Sequence, residues 1–112
     1  MRDDVDQAFH ALKLEYLASM PEMLEELRSD VSQFRAGNTD SEASLKVRLH
    51  RLAGSGGSYG FAQLSALARE AEHWLAGKSG PAAANQLAEM IESLADAVAE
   101  EGRRVGGRRV SE

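Results

Sequence analysis

The 112-residue chain has the length of one domain, with 43% apolar residues and only 5% aromatic ones. Alanine, leucine, glutamate and arginine are frequent, and these good helix formers favour a helical fold over a sheet. The absence of cysteine excludes a disulfide scaffold, a thiolate zinc site and thiol catalysis. No apolar run approaches the ~20 residues of a membrane span, and the acidic start at Asp3 and Asp4 does not resemble a signal peptide. We therefore expect a cytoplasmic protein that does not bind membranes.

The net charge of −5 is unevenly distributed along the chain. Residues 103–112 contain four arginines and one glutamate, which leaves nine basic and 17 acidic residues in 1–102. An acidic body opposes binding to a nucleic-acid backbone, so we expect no nucleic-acid partner; a steep salt dependence of DNA binding would contradict this. We interpret 1–102 as the folded domain and 103–112 as a flexible Arg/Gly tail or linker.

The first strong helical pattern has apolar residues at alternating steps of three and four. They are Leu17, Met20, Leu24, Leu27, Val31 and Phe34. Ser19 and Glu22 have the spacing of a capping box and Pro21 falls in the first turn, which predicts a helix start near Ser19. The segment 5–18 is predicted to be a short additional helix or a kinked extension of the same one. Gly37 and Asn38 are predicted to end the helix.

Three further amphipathic helices are predicted. Thr39 and Glu42, a second capping-box pair, are predicted to start the second helix, and the fourth is predicted to end by Gly102. Their apolar stripes are Leu45, Leu49, Leu52, Gly56 and Tyr59; Phe61, Leu64, Leu67, Ala68, Ala71, Trp74 and Leu75; and Leu87, Met90, Ile91, Leu94 and Val98. Because short turns connect helices with one apolar face each, the predicted fold is all-α, an antiparallel up-down four-helix bundle with a short additional N-terminal helix.

The segment around His50 departs from helix rules, because three glycines occur where the second stripe is still running. Each glycine costs about 1 kcal/mol relative to alanine inside a helix. Either the helix ends at Gly54, or it continues and small residues clear a surface. The spacing favours continuation, since Ala53, Gly54 and Gly57 lie three, four and seven residues after His50 and share its face.

Basic residues surround this predicted surface. Lys46 lies one helical turn before His50 on the same face, and Arg48 and Arg51 flank the histidine on either side. The buried stripe lies on the other side of the helix, so His50 is predicted to point outward. An exposed imidazole among cations, with no bulky neighbour above it, suits a phosphoryl group.

Residues 49–61, L-H-R-L-A-G-S-G-G-S-Y-G-F, resemble the motif of the histidine-phosphotransfer (HPt) domain family. That motif reads roughly H-x-L-K-G-[SA]-x-x-x-x-G and is followed by an apolar helix. The family's histidine matches His50, its leucine Leu52, and its glycines Gly54 and Gly60. The order of elements agrees over about 5–101, and the motif itself is specific over 46–64.

One family position differs in this chain. The family usually has lysine three residues after the histidine, where this sequence has Ala53. The family lysine is expected to help hold the phosphoryl group or the partner. Lys46 and Arg51 are the nearest candidates to replace it.

The resemblance implies that His50 accepts and donates a phosphoryl group between aspartates of response-regulator receiver domains. The residues that would support the phosphoryl group or bind the partner are Lys46, Arg48, Arg51, Ala53, Gly54 and Gly57. The implied partners are receiver domains and a sensor or hybrid histidine kinase. No cofactor is expected on this chain, because the receiver would supply the divalent metal ion. We expect a monomer that acts as a phosphotransfer intermediate and not as an autonomous kinase.

Other interpretations of the same residues were weighed. The departure at Ala53 leaves open a helical adaptor that binds a receiver domain or another signalling protein without being phosphorylated. The segment 54–60 lacks the spacing of a nucleotide-binding loop and any preceding strand. His10 and His73 are predicted to be ordinary surface or edge residues, without a zinc site. Glu70 and Glu72 are predicted to be part of a solvated helix face.

Overall fold

Four helices make up the computed structural model, which describes the backbone of residues 2–78 and 80–110 and their side chains except at Arg2, Thr39 and 107–110. The helices are α1 (Arg2–Arg35), α2 (Thr39–Ser58), α3 (Ala62–Leu75) and α4 (Pro81–Val110). Over this part of the chain, each helix packs against its neighbours in sequence, α4 packs against α1, and no Cα atoms of the diagonal pairs lie within 8 Å of each other. The predicted all-α four-helix bundle is confirmed, with dimensions of 52 × 21 × 19 Å.

The core of the bundle consists of the apolar stripes predicted from the sequence. Its fully buried large side chains come from all four helices: Leu27, Leu45, Leu49, Leu52, Leu64, Leu75, Leu87, Ile91 and Leu94. Each such burial contributes about 1.5–3 kcal/mol of hydrophobic free energy. Tyr59, Leu67, Trp74, Met90 and Val98 are half-buried at the edge of this core.

The first helix is longer than the sequence suggested, and the prediction of a short additional N-terminal helix was wrong. α1 passes through Pro21 without a break, so 5–18 is its N-terminal part. Ser19 does not cap a helix, because its hydroxyl donates to the carbonyl of Tyr16 at 2.6 Å. Buried Leu17 and Met20 continue the stripe of Leu24 across the proline, so tertiary packing maintains the helix there despite the local cost of proline.

The C-terminal ends of α1 and α2 are each closed by a glycine in the same way. After α2, the Phe61 amide donates to the Gly56 carbonyl at 2.8 Å and the Gly60 amide to the Gly57 carbonyl at 3.0 Å. This is a Schellman motif, in which Gly60 takes a φ of +83° that other residues rarely adopt. The turn after α1 has the same pattern around Gly37. These turns make consecutive helices antiparallel.

Two helix boundaries differ from the predicted ones. Asn38, not Thr39, caps α2, because its side-chain oxygen accepts a hydrogen bond from the Asp40 amide at 2.9 Å. The prediction that the last helix ends by Gly102 was also wrong, since α4 extends to Val110 and Val105 is buried in the core. Whether 103–112 also serves as a linker stays a prediction, and 111–112 lie outside the described residues.

Candidate functional site

The candidate site lies on the hairpin formed by α2 and α3, which pack closely through small residues. A Cβ placed on Gly56 would lie 3.4 Å from the backbone nitrogen of Ser65. The buried Ser65 hydroxyl donates to the Ala53 carbonyl at 2.6 Å. α2 therefore continues through the glycine-rich segment to Ser58, as the spacing favoured, and its register against α3 is fixed.

His50 projects from α2 into solvent, with 77% of its side chain exposed. Its Nδ1 lies 3.1 Å from Oε2 and 3.4 Å from Oε1 of Glu72 on α3. A carboxylate can only accept, so Nδ1 carries the hydrogen and donates it to Glu72. In the neutral imidazole this tautomer leaves a lone pair on Nε2. The site therefore presents one oriented, accessible nucleophilic nitrogen.

Glu72 is the residue at His50 that the sequence did not predict: it contacts the ring, whereas the sequence pattern indicated only a solvated helix face. The distance of Glu72 from the turn between α2 and α3 could have identified it. In two antiparallel helices, residues at similar distances from the turn face one another, and His50 and Glu72 lie ten residues before and 12 residues after Gly60. Among the acidic residues of α3, the helical period brings Glu72 to the side of His50, while Glu70 is exposed elsewhere.

The basic residues predicted around His50 do not form one cluster. Arg48 turns toward α1, where it pairs with the buried Asp30 and lies 3.8 Å from Glu26. Lys46 stays on the His50 side, but its ammonium pairs with Glu42 at 3.2 Å. Arg51 is exposed next to the histidine in sequence.

A shallow cavity of about 470 Å³ surrounds the His50 ring. Its lining residues come from both helices of the hairpin: Lys46, His50, Ala53, Gly54, Arg69, Glu72, His73 and Ala76. Arg51, which the sequence analysis considered as a substitute for the family lysine, does not line it. Ala53 forms part of the cavity floor and is only 4% exposed.

The glycines predicted to clear a surface have two different roles. A Cβ on Gly54 would meet no atom within 4 Å, so this position opens into solvent beside His50. Gly57 faces α3 instead, because a Cβ there would lie 3.4 Å from the Ser65 hydroxyl. Gly54 therefore leaves room for an approaching molecule, while Gly56 and Gly57 allow α2 and α3 to pack closely.

With His50 as the phosphoryl acceptor that the resemblance to the HPt family implies, we expect Glu72→Ala to slow its phosphorylation about ten-fold, because the ring would lose both its orienting acceptor and a nearby negative charge. A hydrogen bond to a charged group contributes roughly 1.5–3 kcal/mol, and the exposure of this pair places its effect at the lower end. The measurement is the single-turnover rate of phosphoryl transfer. Glu70→Ala removes an exposed carboxylate from the same helix and should leave the rate within two-fold; equal effects of both variants would contradict the role of Glu72.

Comparison with known proteins identifies the family to which this fold and site belong. Residues 11–101 match the family model of the Hpt domain. No curated protein and no solved structure matches the chain. In the part of the chain that the structure describes, no helix has an apolar stretch long enough to cross a bilayer. The family match covers most of the four-helix bundle and includes His50 and Glu72, and the chain therefore belongs to the Hpt domain family, with a phosphotransfer-related role in two-component signalling.

Proposed function

We propose that this protein relays a phosphoryl group between aspartates of receiver domains through a phosphohistidine at His50. The observation that carries the proposal is the exposed His50 ring, whose Nδ1 donates to Glu72 and therefore leaves the lone pair on Nε2, with open space at Gly54 one turn further along α2. The family match and the absence of a nucleotide-binding sequence support a phosphotransfer intermediate over an autonomous kinase.

The transfer step needs little from this chain besides a positioned nucleophile. The Nε2 lone pair of neutral His50 attacks the phosphorus of an aspartyl phosphate on the receiver. The N–P bond forms as the P–O bond to the aspartate breaks, and that electron pair leaves with the aspartate carboxylate. The ring becomes a phosphorylated imidazolium that keeps its Nδ1 hydrogen, and Glu72 offsets the new positive charge. The reverse step returns the phosphoryl group to another receiver's aspartate.

The partner would supply the groups that neutralise the charge of the phosphoryl group during transfer. We propose that the receiver supplies the divalent metal ion, which neutralises charge on the phosphoryl oxygens, and that this chain needs no cofactor of its own. A sensor or hybrid histidine kinase would phosphorylate the first receiver. We propose a cytoplasmic location, which is consistent with the Hpt domain family.

The receiver would dock on the outer face of α2, where Val47 is 48% exposed. Val47 precedes His50 by almost one helical turn and lies on the same side of α2 as Gly54, about two turns before it. An exposed apolar side chain beside a nucleophile can bury its surface against a docked partner, and each buried methylene group contributes about 0.8 kcal/mol.

We expect Val47→Asp to raise the receiver concentration needed for half-maximal transfer about ten-fold, because a carboxylate would be desolvated at the contact. The maximal rate should change less, since His50 is untouched. Ala99→Asp is the control, because it introduces the same charge at an exposed position on α4, whose Cα atoms all lie more than 8 Å from those of α2 in the described residues. A similar increase for both variants would show that docking does not involve the outer face of α2.

The experiment that tests the proposed function is phosphoryl transfer to the intact chain from several receiver domains, each phosphorylated beforehand with acetyl phosphate. The expected result is a label on this protein that is labile in acid and stable in base, as a phosphoramidate bond requires. NMR of the labelled protein should place the phosphorus on Nε2 of His50, because Nδ1 is held by Glu72.

A second candidate, a non-phosphorylated adaptor, is favoured by one observation, the alanine at position 53 where the family usually has lysine. In that case the protein would bind a receiver domain and acquire no label. Binding without labelling by any of the receivers would therefore reject the relay in favour of the adaptor.

A further inference from the structure

The missing lysine leaves the His50 cavity without a cation at the position where the family has one. Ala53 is part of the cavity floor, and its methyl group carries no charge toward the ring. A phosphoryl group on His50 would add about two negative charges above that floor. A cation from another position is required to stabilise these charges as the family lysine would.

Four cationic side chains lie near His50 in sequence or in space, and they differ in whether they line the cavity and in whether they already form an ion pair. Arg48 is held by Asp30 on the opposite side of α2, and Arg51 does not line the cavity. Lys46 lines it but is paired with Glu42. Arg69 on α3 lines the cavity and is exposed, and it forms no ion pair with any of the residues that the structure describes.

We propose that Arg69 is the phosphoryl-contacting cation of this site and takes the place of the lysine that the family carries at the position of Ala53. The inference rests on the proposed function. Arg69 precedes Glu72 by almost one turn of α3, so both residues point toward α2 from the same face. Glu72 fixes Nδ1, and Arg69 offers two parallel N–H donors that match two oxygens of a phosphoryl group on Nε2. The small side chain of Ala53 leaves the cavity open between the His50 ring and Arg69.

The test compares Arg69→Gln with Arg103→Gln, which removes an exposed arginine on α4 that does not line the cavity. Transfer from a receiver phosphorylated with acetyl phosphate should slow about five-fold in Arg69→Gln and stay within two-fold of wild type in Arg103→Gln. The ³¹P resonance of phosphorylated His50 should shift only in Arg69→Gln, a readout that a merely structural role would not move. Equal rates and unchanged resonances for the two variants would overturn the proposal.

Two charge-restoring variants complete the experiment. Arg69→Lys should recover most of the rate, and so should Ala53→Lys combined with Arg69→Gln, because each returns a cation to the cavity. Failure of both in folded proteins would contradict the claim that the cavity needs this charge. A wild-type protein that acquires no label would refute the proposed function, and this inference with it, whereas a labelled wild type with an unaffected Arg69→Gln would refute the inference alone.

Discussion

His50→Gln is expected to abolish phosphoryl labelling of this protein while leaving its fold intact. The amide nitrogen of glutamine has no available lone pair to attack phosphorus, so transfer should fall to the background level. The glutamine amide can still donate a hydrogen bond to Glu72, and the position is largely exposed. The free energy of unfolding should therefore change by no more than about 0.5 kcal/mol. The measurements are labelling by a phosphorylated receiver and thermal unfolding.

A second histidine provides a stringent control for this result. His73 is exposed on α3 and lines the same cavity as His50. His73→Gln removes an imidazole from the site but leaves the bond between His50 and Glu72, so labelling should persist. Loss of the label in His73→Gln with retention in His50→Gln would show that His73, and not His50, carries the phosphoryl group.

Gly54→Leu is expected to slow transfer about 100-fold in a protein that folds normally. A leucine there would extend from the open position beside His50 and hold a receiver's aspartate away from Nε2. Misplacement of reacting groups by about 1 Å can cost roughly 100-fold in rate. A Cβ at this position would meet no atom within 4 Å, and replacing glycine inside a helix by a good helix former adds up to about 1 kcal/mol of stability. The rate of transfer should therefore fall while the free energy of unfolding rises.

Gly56→Leu is the matched control, because it is the same substitution two residues further along α2. Its side chain would enter the contact with Ser65 and Leu64 on α3, where a Cβ alone lies at 3.4 and 3.6 Å. Overpacking of this kind destabilises by about 1–3 kcal/mol, which exceeds the gain in helix propensity. Normal transfer by a folded Gly54→Leu protein, or greater stability of Gly56→Leu, would contradict the separate roles assigned to these glycines.

The same packing explains why local signals misplaced some helix boundaries. Ser19, Pro21 and Glu22 form a plausible helix start, but buried Leu17 and Met20 carry the core stripe across them. A local cap contributes about 1 kcal/mol, whereas each buried side chain contributes more. At the other end, Gly102 gave a plausible helix stop, but Val105 is buried and α4 continues past it.

The aromatic contacts at the end of α2 also depend on this long first helix. Tyr16 on α1 hydrogen-bonds to Ser55 at 2.6 Å and stacks on Tyr59, with ring centroids 4.5 Å apart. Burial raises the pKa of the Tyr16 phenol, so the hydroxyl stays protonated at neutral pH. These contacts tie the glycine-rich end of the His50 helix to α1. Neither partner could be assigned from the sequence, since 39 residues separate Tyr16 from Ser55.

The helical class, the core stripes and the outward position of His50 could be predicted from the sequence, because all three follow from the 3.6-residue period within single helices. The charges that face His50 could not be predicted, because they depend on how the helices pack. From the neighbouring helix α3, Glu72 contacts the histidine and Arg69 lines its cavity, while Arg48, two residues away in sequence, pairs with Asp30 on α1. Side-chain partners across helices depend on register and on competition among nearby charges, and no local pattern in the chain encodes either one.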